Sequence, residues 1–201
     1  MSGSFCDLHM HSTVSDGSLD VESLVSEVAR AGLSAFVLTD HDSVAGLPEA
    51  RREAERLGLR TLSGVEISTR HDGLELHLLG YAFDEAHQGL QGLLAELAAA
   101  RRGRVDAICA RLGALGVALT AEQVYECCPH QTPGRPHVAR ALVKAGHCKN
   151  SEDAFARYLG DGQVGNVPKR VAPVAEAIAR VHEAGGRCAW AHPLARPIMR
   201  A

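Results

Sequence analysis

The residues of this 201-residue chain that could do chemistry sit at the ends of short apolar runs, or inside them. Asp7-Leu8-His9-Met10-His11 opens the series, and a Ser15-Asp16-Gly17 turn follows it. Asp40-His41-Asp42 closes a second run, Glu66 lies inside Gly64-Val65-Glu66-Ile67-Ser68, His77 lies between Leu76 and Leu78, and His192 stands in Ala191-His192-Pro193. On an extended strand, residues two apart point the same way, so His9 and His11 can act together. A carboxylate between Val65 and Ile67 is a costly choice unless it has a partner. Imidazoles and carboxylates gathered at strand ends suit divalent metals such as Zn, Mn or Fe. The first expectation is therefore a multi-metal hydrolase site.

Such a site needs elements that bring distant residues to one place. Residues 5–10 read as a short buried strand, and Asp20 as the cap of a helix over 21–31 with Gly32 as its stop. Residues 34–39 form a second strand, 43–57 a second helix ended by Gly58, and 60–68 a third strand. This strand–helix–strand–helix–strand order predicts parallel pairing with right-handed crossovers. Ligands of such sheets lie beyond the C-terminal strand ends, where His9, His11, His41 and Glu66 all fall on this reading. A fourth strand spans 75–83 after an Asp72-Gly73 turn. Then the character changes. Residues 88–115 read as one long Ala- and Leu-rich helix, with further helices over 120–127, 136–145 and 151–158. The strand–helix pattern returns with a helix over 173–184 and a strand over 187–191. The expected division is 1–84, the first part of an α/β domain; 85–168, a helical insertion; and 169–201, a return to the first part.

Composition narrows the function. The chain is 46% hydrophobic and 22% charged, ordinary for a globular protein, and its formal net charge of −3 gives no global basic coat for nucleic acid. Aromatics are 4%, too few for a broad base-stacking platform. The six cysteines form no CxxC pair, no signal peptide precedes them and no apolar run is long enough to span a membrane. The expected setting is the cytoplasm, without a membrane or a stable protein partner. Arg101, Arg102 and Arg104 read as a solvated helix face rather than an RNA track. Cys127 and Cys128 read as core thiols. His71, His87, His130, His147 and His182 read as surface or structural. Plainer roles compete at the singled-out positions: a buried salt bridge for Glu66, a satisfied core histidine for His77, a cap for His192 and a loop brace for Arg135.

Together, His-x-His, the Asp-Gly turn, TDHDS, GVEIS, the strand histidine and AHP resemble the PHP (polymerase and histidinol phosphatase) family. The GRPH loop and the NVPK segment favour its nucleotide phosphoesterase branch. The resemblance implies a distorted (β/α)7 barrel holding two to three divalent ions (Mn, Fe or Zn). His9, His11, Asp16, His41, Glu66, His77 and His192 would be ligands, with Glu66 bridging two ions and catalysis resting on Glu66, His41 and His192. Paired metals about 3.5–4 Å apart acidify a bound water and clamp a phosphate in line. The implied substrates are nucleoside 3′,5′-bisphosphates, losing the 3′-phosphate, or short RNA trimmed from its 5′ end. Another phosphomonoester such as histidinol phosphate, or an inactive binding remnant, is the alternative. Arg135 and Lys169 match phosphate-binding positions, and Arg196, Ser12 and His137 are further candidates for substrate contact. Asp40 or Asp42 could orient His41. The family also supplies a late Asp-x-His that does not follow AHPLARPIMRA here, so the expectation is a barrel incomplete at its C-terminus and a metal cluster short of two ligands.

Overall fold

A computed structural model describes residues 5–128 and 132–193 of the chain. The first strands form where the sequence places them, but the first is not the buried strand expected: Phe5 and Leu8 are exposed and no residue of Cys6–Met10 is fully buried. Strand β1 (Cys6–Met10), β2 (Ala35–Leu38) and β3 (Arg60–Thr61) pair in that order, all parallel. Between them run α1 (Val21–Arg30) and α2 (Leu47–Leu57). Asp20 caps α1 by accepting a 2.7 Å hydrogen bond from Ser23 N, and Val21, Val25 and Val28 bury the helix's inner face. Helix α2 starts at Leu47, four residues later than expected, with Pro48 in its first turn, a position where proline's missing N–H costs nothing.

The expected third strand, 60–68, divides in two. After β3 the chain leaves the first sheet at Leu62-Ser63 and enters β4 (Gly64–His71) of a second sheet. Strand β5 (Leu74–Tyr81) returns antiparallel to β4 across all eight positions, from Gly64–Tyr81 to His71–Leu74. The turn Asp72-Gly73 makes this possible, with φ of 46° and 80°, the left-handed pair that a two-residue hairpin demands. Two short strands complete the sheet: β6 (Ala172–Pro173), parallel to β4, and β7 (Arg187–Trp190), antiparallel to β5. The parallel expectation therefore holds for β1–β3; β4, which carries Glu66, instead pairs antiparallel with β5 on one side and parallel with β6 and with the His41 segment on the other. Glu66 is the third residue of β4, not a strand-end residue. A bridge between His41 and Glu66 joins the two sheets.

The helices that follow are α3 (Gln88–Gly113), α4 (Ala121–Tyr125), α5 (Arg135–Lys144), α6 (Ser151–Ala154, running on into a π-helical turn over Phe155–Leu159) and α7 (Val174–Glu183). Two apolar clusters result. The first holds the sheets, α1, α2 and α7, together with Leu90, Leu93, Leu94 and Leu97 of α3. The second is built only from residues 105–167, including Val105, Ile108 and Leu112 of the same helix. Helix α3 thus serves both cores, the first half in one and the second half in the other. Cys127 packs at the edge of the second cluster and Cys128 is buried. Among the described residues, no helix is long and apolar enough to cross a membrane.

Close approach of β2 to β4 sets the distance between the sheets. A Cβ at Gly64 would lie 2.2 Å from Val37 Cγ1 and 2.5 Å from the Leu38 carbonyl oxygen, which is backbone and cannot step aside cheaply. Gly64→Ala is therefore expected to destabilise the fold by about 1–3 kcal/mol, the usual cost of overpacking. Urea denaturation measures it, and an unchanged midpoint would show that the sheets are not held this close.

Candidate functional site

Five segments deliver side chains to one pocket of about 360 Å³, lined by His9, His11, Asp16, His41, Glu66, His77 and His192. Strand β1 contributes His9 and, just past its end, His11. An extra residue bulges β1 between Asp7 and Met10, a device that re-aims side chains beside sites. Both rings nonetheless face the pocket, with their Nε2 atoms 3.1 Å apart. His41 follows β2, Glu66 projects from β4, His77 from β5, and His192 follows β7. His192 itself has φ of 36°, a left-handed backbone that costs about 1–3 kcal/mol in a non-glycine residue and recurs at functional sites.

Glu66 is the centre. Its side chain is only 1% exposed, and five ring nitrogens surround it. His9 Nε2 lies 3.0 Å, His11 Nε2 2.9 Å and His41 Nδ1 3.4 Å from Oε2, while His77 Nδ1 lies 2.8 Å and His192 Nε2 3.2 Å from Oε1. Asp16 closes the open side, 3.8 Å from His11 and 3.7 Å from His41. Protons alone do not satisfy this crowd. The Nδ1 atoms of His41 and His77 are buried and make no hydrogen bond. Protonating all five rings would set five positive charges around one carboxylate.

Ionisation states follow from these contacts. Burial opposes charge on Glu66, but contacts from His11, His77 and His9 outweigh it and hold the carboxyl well below the usual carboxylate range. Burial, with the Arg101 guanidinium second, pushes His41 down to about 3, so the imidazole stays neutral and keeps a lone pair to offer. A neutral imidazole at His41, an ionised Glu66 and orphaned ring nitrogens suit a divalent transition metal. Among the described residues, three sets each have their ligand atoms within 4.8 Å of one another: His9, His11 and Glu66; His11, Asp16 and His41; and His41, Glu66 and His77. Glu66, His11 and His41 each belong to two sets, which is the geometry a shared ligand requires.

The two aspartates beside His41 do not touch its ring, contrary to the expectation that one orients it. Asp40 turns to the loop that carries Asp16. It accepts from Ser12 N (2.8 Å), Ser12 Oγ (2.7 Å) and Ser15 Oγ (2.7 Å). Asp42 turns the other way, to Ser68 N (2.7 Å), Ser68 Oγ (2.8 Å) and Arg101 Nε (2.6 Å). Burial opposes its charge, yet Arg101 and Lys169 bring Asp42 down to about 2.

The residues expected to grip substrate are placed differently from the metal cluster. Ser12 is fully buried and its hydroxyl is committed to Asp40, not presented to the pocket. Lys169 reaches Ser68 Oγ and lies 4.0 Å from Asp42, and burial lowers its amine to about 8. His137 is buried in the first turn of α5, where its Nδ1 accepts from Gly134 N at 3.0 Å. Its neighbour Arg140 donates to the Asp16 carbonyl at 2.9 Å. Arg135 donates to the Leu159 carbonyl (3.0 Å) and to Asn166 Oδ1 (3.3 Å), and it lines a separate depression of about 650 Å³ with Arg70, Glu75 and Arg104. Arg196 and His130 lie outside the described residues. His87 caps α3 through Nδ1 and Leu90 N at 3.4 Å.

Arg101 corrects the solvated-face reading. It is buried, and it is ion-paired to Asp42. The signal was in the periodicity: Leu90, Leu94, Leu97, Val105, Ile108 and Leu112 mark one face of α3, and 101 is a position on that face. A guanidinium in an apolar stripe needs a buried anion.

Residues 7–110 match the PHP domain family. Several relatives align over nearly the whole chain. A 5′-3′ exoribonuclease of Haemophilus influenzae is 38% identical over 191 residues, 94% of this chain and 68% of the relative. A 3′,5′-nucleoside bisphosphate phosphatase of Chromobacterium violaceum is 34% identical, over 93% of this chain and 66% of the relative. The solved structure of an amidohydrolase from Chromobacterium violaceum with bound sulfate and no metal superimposes with a TM-score of 0.88 at 33% identity, covering 94% of this chain and 67% of that one. The chain belongs to the PHP domain family of phosphoesterases. It spans about two thirds of the length of the relatives it matches.

Asp40 gives the clearest local test. Asp40→Ala would leave one buried N–H and two buried hydroxyls without their acceptor and cost at least about 2 kcal/mol. Thermal unfolding reads this loss, and wild-type stability in the variant would mean that the loop carrying Asp16 does not depend on Asp40.

Proposed function

We propose that this chain is a divalent-metal-dependent phosphoesterase acting on nucleotides. It would remove the 3′-phosphate of nucleoside 3′,5′-bisphosphates, trim short RNA from its 5′ end, or do both. One observation carries the metal centre: five ring nitrogens within 3.4 Å of a single buried carboxylate, two of them without hydrogen bonds. The names of the exoribonuclease and bisphosphate phosphatase relatives support the substrate class.

On this reading His9, His11, Asp16, His41, Glu66, His77 and His192 hold two to three ions, of Mn, Fe or Zn, with Glu66 shared. Such ions, when bound, supply an acidified water and neutralise charge on a phosphate oxygen. The protein's own part is positioning, which phosphoryl transfer chiefly needs. Glu66 stays ionised through its imidazole contacts. His41 stays neutral in its buried place, and His192, the more exposed side chain at 40%, borders the pocket opening. Arg135 would meet anionic parts of a longer substrate from the depression it lines, whereas Lys169 stays buried against Ser68 and Asp42. We further read the fold as a distorted PHP barrel interrupted by the helices of 85–168, which is supported by their separate apolar cluster. The substrates named suit a cytoplasmic setting.

The purified chain loaded with Mn(II) is expected to release phosphate from a nucleoside 3′,5′-bisphosphate in preference to histidinol phosphate. Chelation with EDTA and the Glu66→Gln variant should both abolish release, while the circular dichroism spectrum of the variant stays native. Preference for histidinol phosphate would reverse the substrate assignment. Ion binding without release from any of these compounds would leave a metal-binding domain in place of an enzyme.

A further inference from the structure

The segment Asp40–Asp42 runs beside β4 as a one-bridge parallel partner. Glu66 N donates to the Asp40 carbonyl at 3.2 Å, and Asp42 N donates to the Glu66 carbonyl at 2.9 Å. The next rung of a parallel ladder would run from Ser68 N to the Asp42 carbonyl. It does not form, because the backbone turns left-handed at Asp42, with φ of 52°. The Asp42 side chain supplies the rung instead: its Oδ1 accepts from Ser68 N at 2.7 Å. The other oxygen accepts from Ser68 Oγ at 2.8 Å and from Arg101 Nε at 2.6 Å, while Arg101 Nη2 donates to Ser68 Oγ at 3.1 Å. All of this is dry; the two side chains are 8% and 0% exposed.

We infer that Asp42 and Arg101 are a positioning pair for the metal centre: the carboxylate replaces a missing backbone rung, so His41 is held in register with Glu66, and the guanidinium from α3 holds that carboxylate aimed at Ser68. Neither residue reaches the ring of His41 or the Glu66 carboxylate; both act through the backbone that carries them. Three features make the pairing specific. The ladder has one bridge, so no further backbone rung can set its register. His41 and Glu66 belong together to one of the three ligand sets, and each also belongs to a second, so a slip of either would disturb two of the three. Arg101 sits where α3 passes from the first apolar cluster to the second, so it ties β4 and the Asp42 segment to the helix that serves both cores. A planar fork that meets Asp42 and Ser68 at once is a task for arginine.

This inference rests on reading the cluster as a metal centre, and the test separates the two. Isothermal titration calorimetry of the whole chain with Mn(II) gives affinity without any substrate. Arg101→Met is expected to weaken Mn(II) binding about 10–100-fold, the range seen when a group supporting a ligand is lost. Arg101→Lys should recover part of that loss, since it restores the charge without the fork. Wild-type affinity in a folded Arg101→Met variant would overturn the inference and leave the metal reading standing. Failure of the wild-type chain to bind Mn(II) would overturn both. Intact Mn(II) affinity with a raised KM would place Arg101 on substrate and also overturn the positioning role. If Arg101→Met does not fold, Asp42→Asn carries the same test. It keeps the shape and the acceptor for Ser68 N but turns an amide toward Arg101 or Ser68 Oγ, so weaker Mn(II) binding is expected and unchanged binding overturns the inference.

Discussion

A carboxylate almost fully removed from water, with imidazoles on every side, is the constraint around which this chain is arranged. Glu66 is 1% exposed, and its contacts come from segments as far apart in sequence as His9 and His192. Desolvation disfavours its charge, and clustered rings cannot all be protonated without repelling one another. Cations shared among these groups, as proposed, would resolve both problems at once. The bulge in β1, the break after β3, the hairpin of β4 and β5 and the left-handed His192 can all be understood as ways of bringing ligands to one carboxylate.

The triplet Asp40-His41-Asp42 shows how the surroundings divide the work. Three consecutive residues face three directions. Asp40 anchors the loop that presents Asp16, His41 enters the cluster, and Asp42 fastens the segment to β4 and α3. Acidic residues beside a ligand need not touch its ring to matter. In this site they fix the backbone on either side, and their burial is balanced by serine donors for Asp40 and by Ser68 together with Arg101 for Asp42.

Much of the site was legible in the sequence because the residues are expensive where they stand. Glu66 between Val65 and Ile67, His77 among leucines, and the His-x-His after an apolar run each announce a partner, and the structure brings all seven expected ligands into one pocket. Capping and periodicity placed the helices, as Asp20 and the valines of α1 show. What escaped notice depends on tertiary neighbours. Nothing local at Leu62-Ser63 says that the chain changes sheets there; Ser63 Oγ bonding to the Phe83 carbonyl at 2.7 Å is a long-range event. Strand β6 is too short to have a pattern. Ser12 reads as a free hydroxyl until Asp40 is seen to hold it. Arg101 was readable, as a charge on an apolar stripe, but only if the stripe was given more weight than the neighbouring arginines.

The central claim is that Glu66 is a ligand shared between two ions. Electron paramagnetic resonance of the chain titrated with Mn(II) tests it most directly. Sharing predicts that the six-line signal of isolated Mn(II) gives way, as the second equivalent binds, to the multiline spectrum of an exchange-coupled pair, and that Glu66→Gln does not show the coupled spectrum. Two equivalents bound with only independent six-line signals would contradict it.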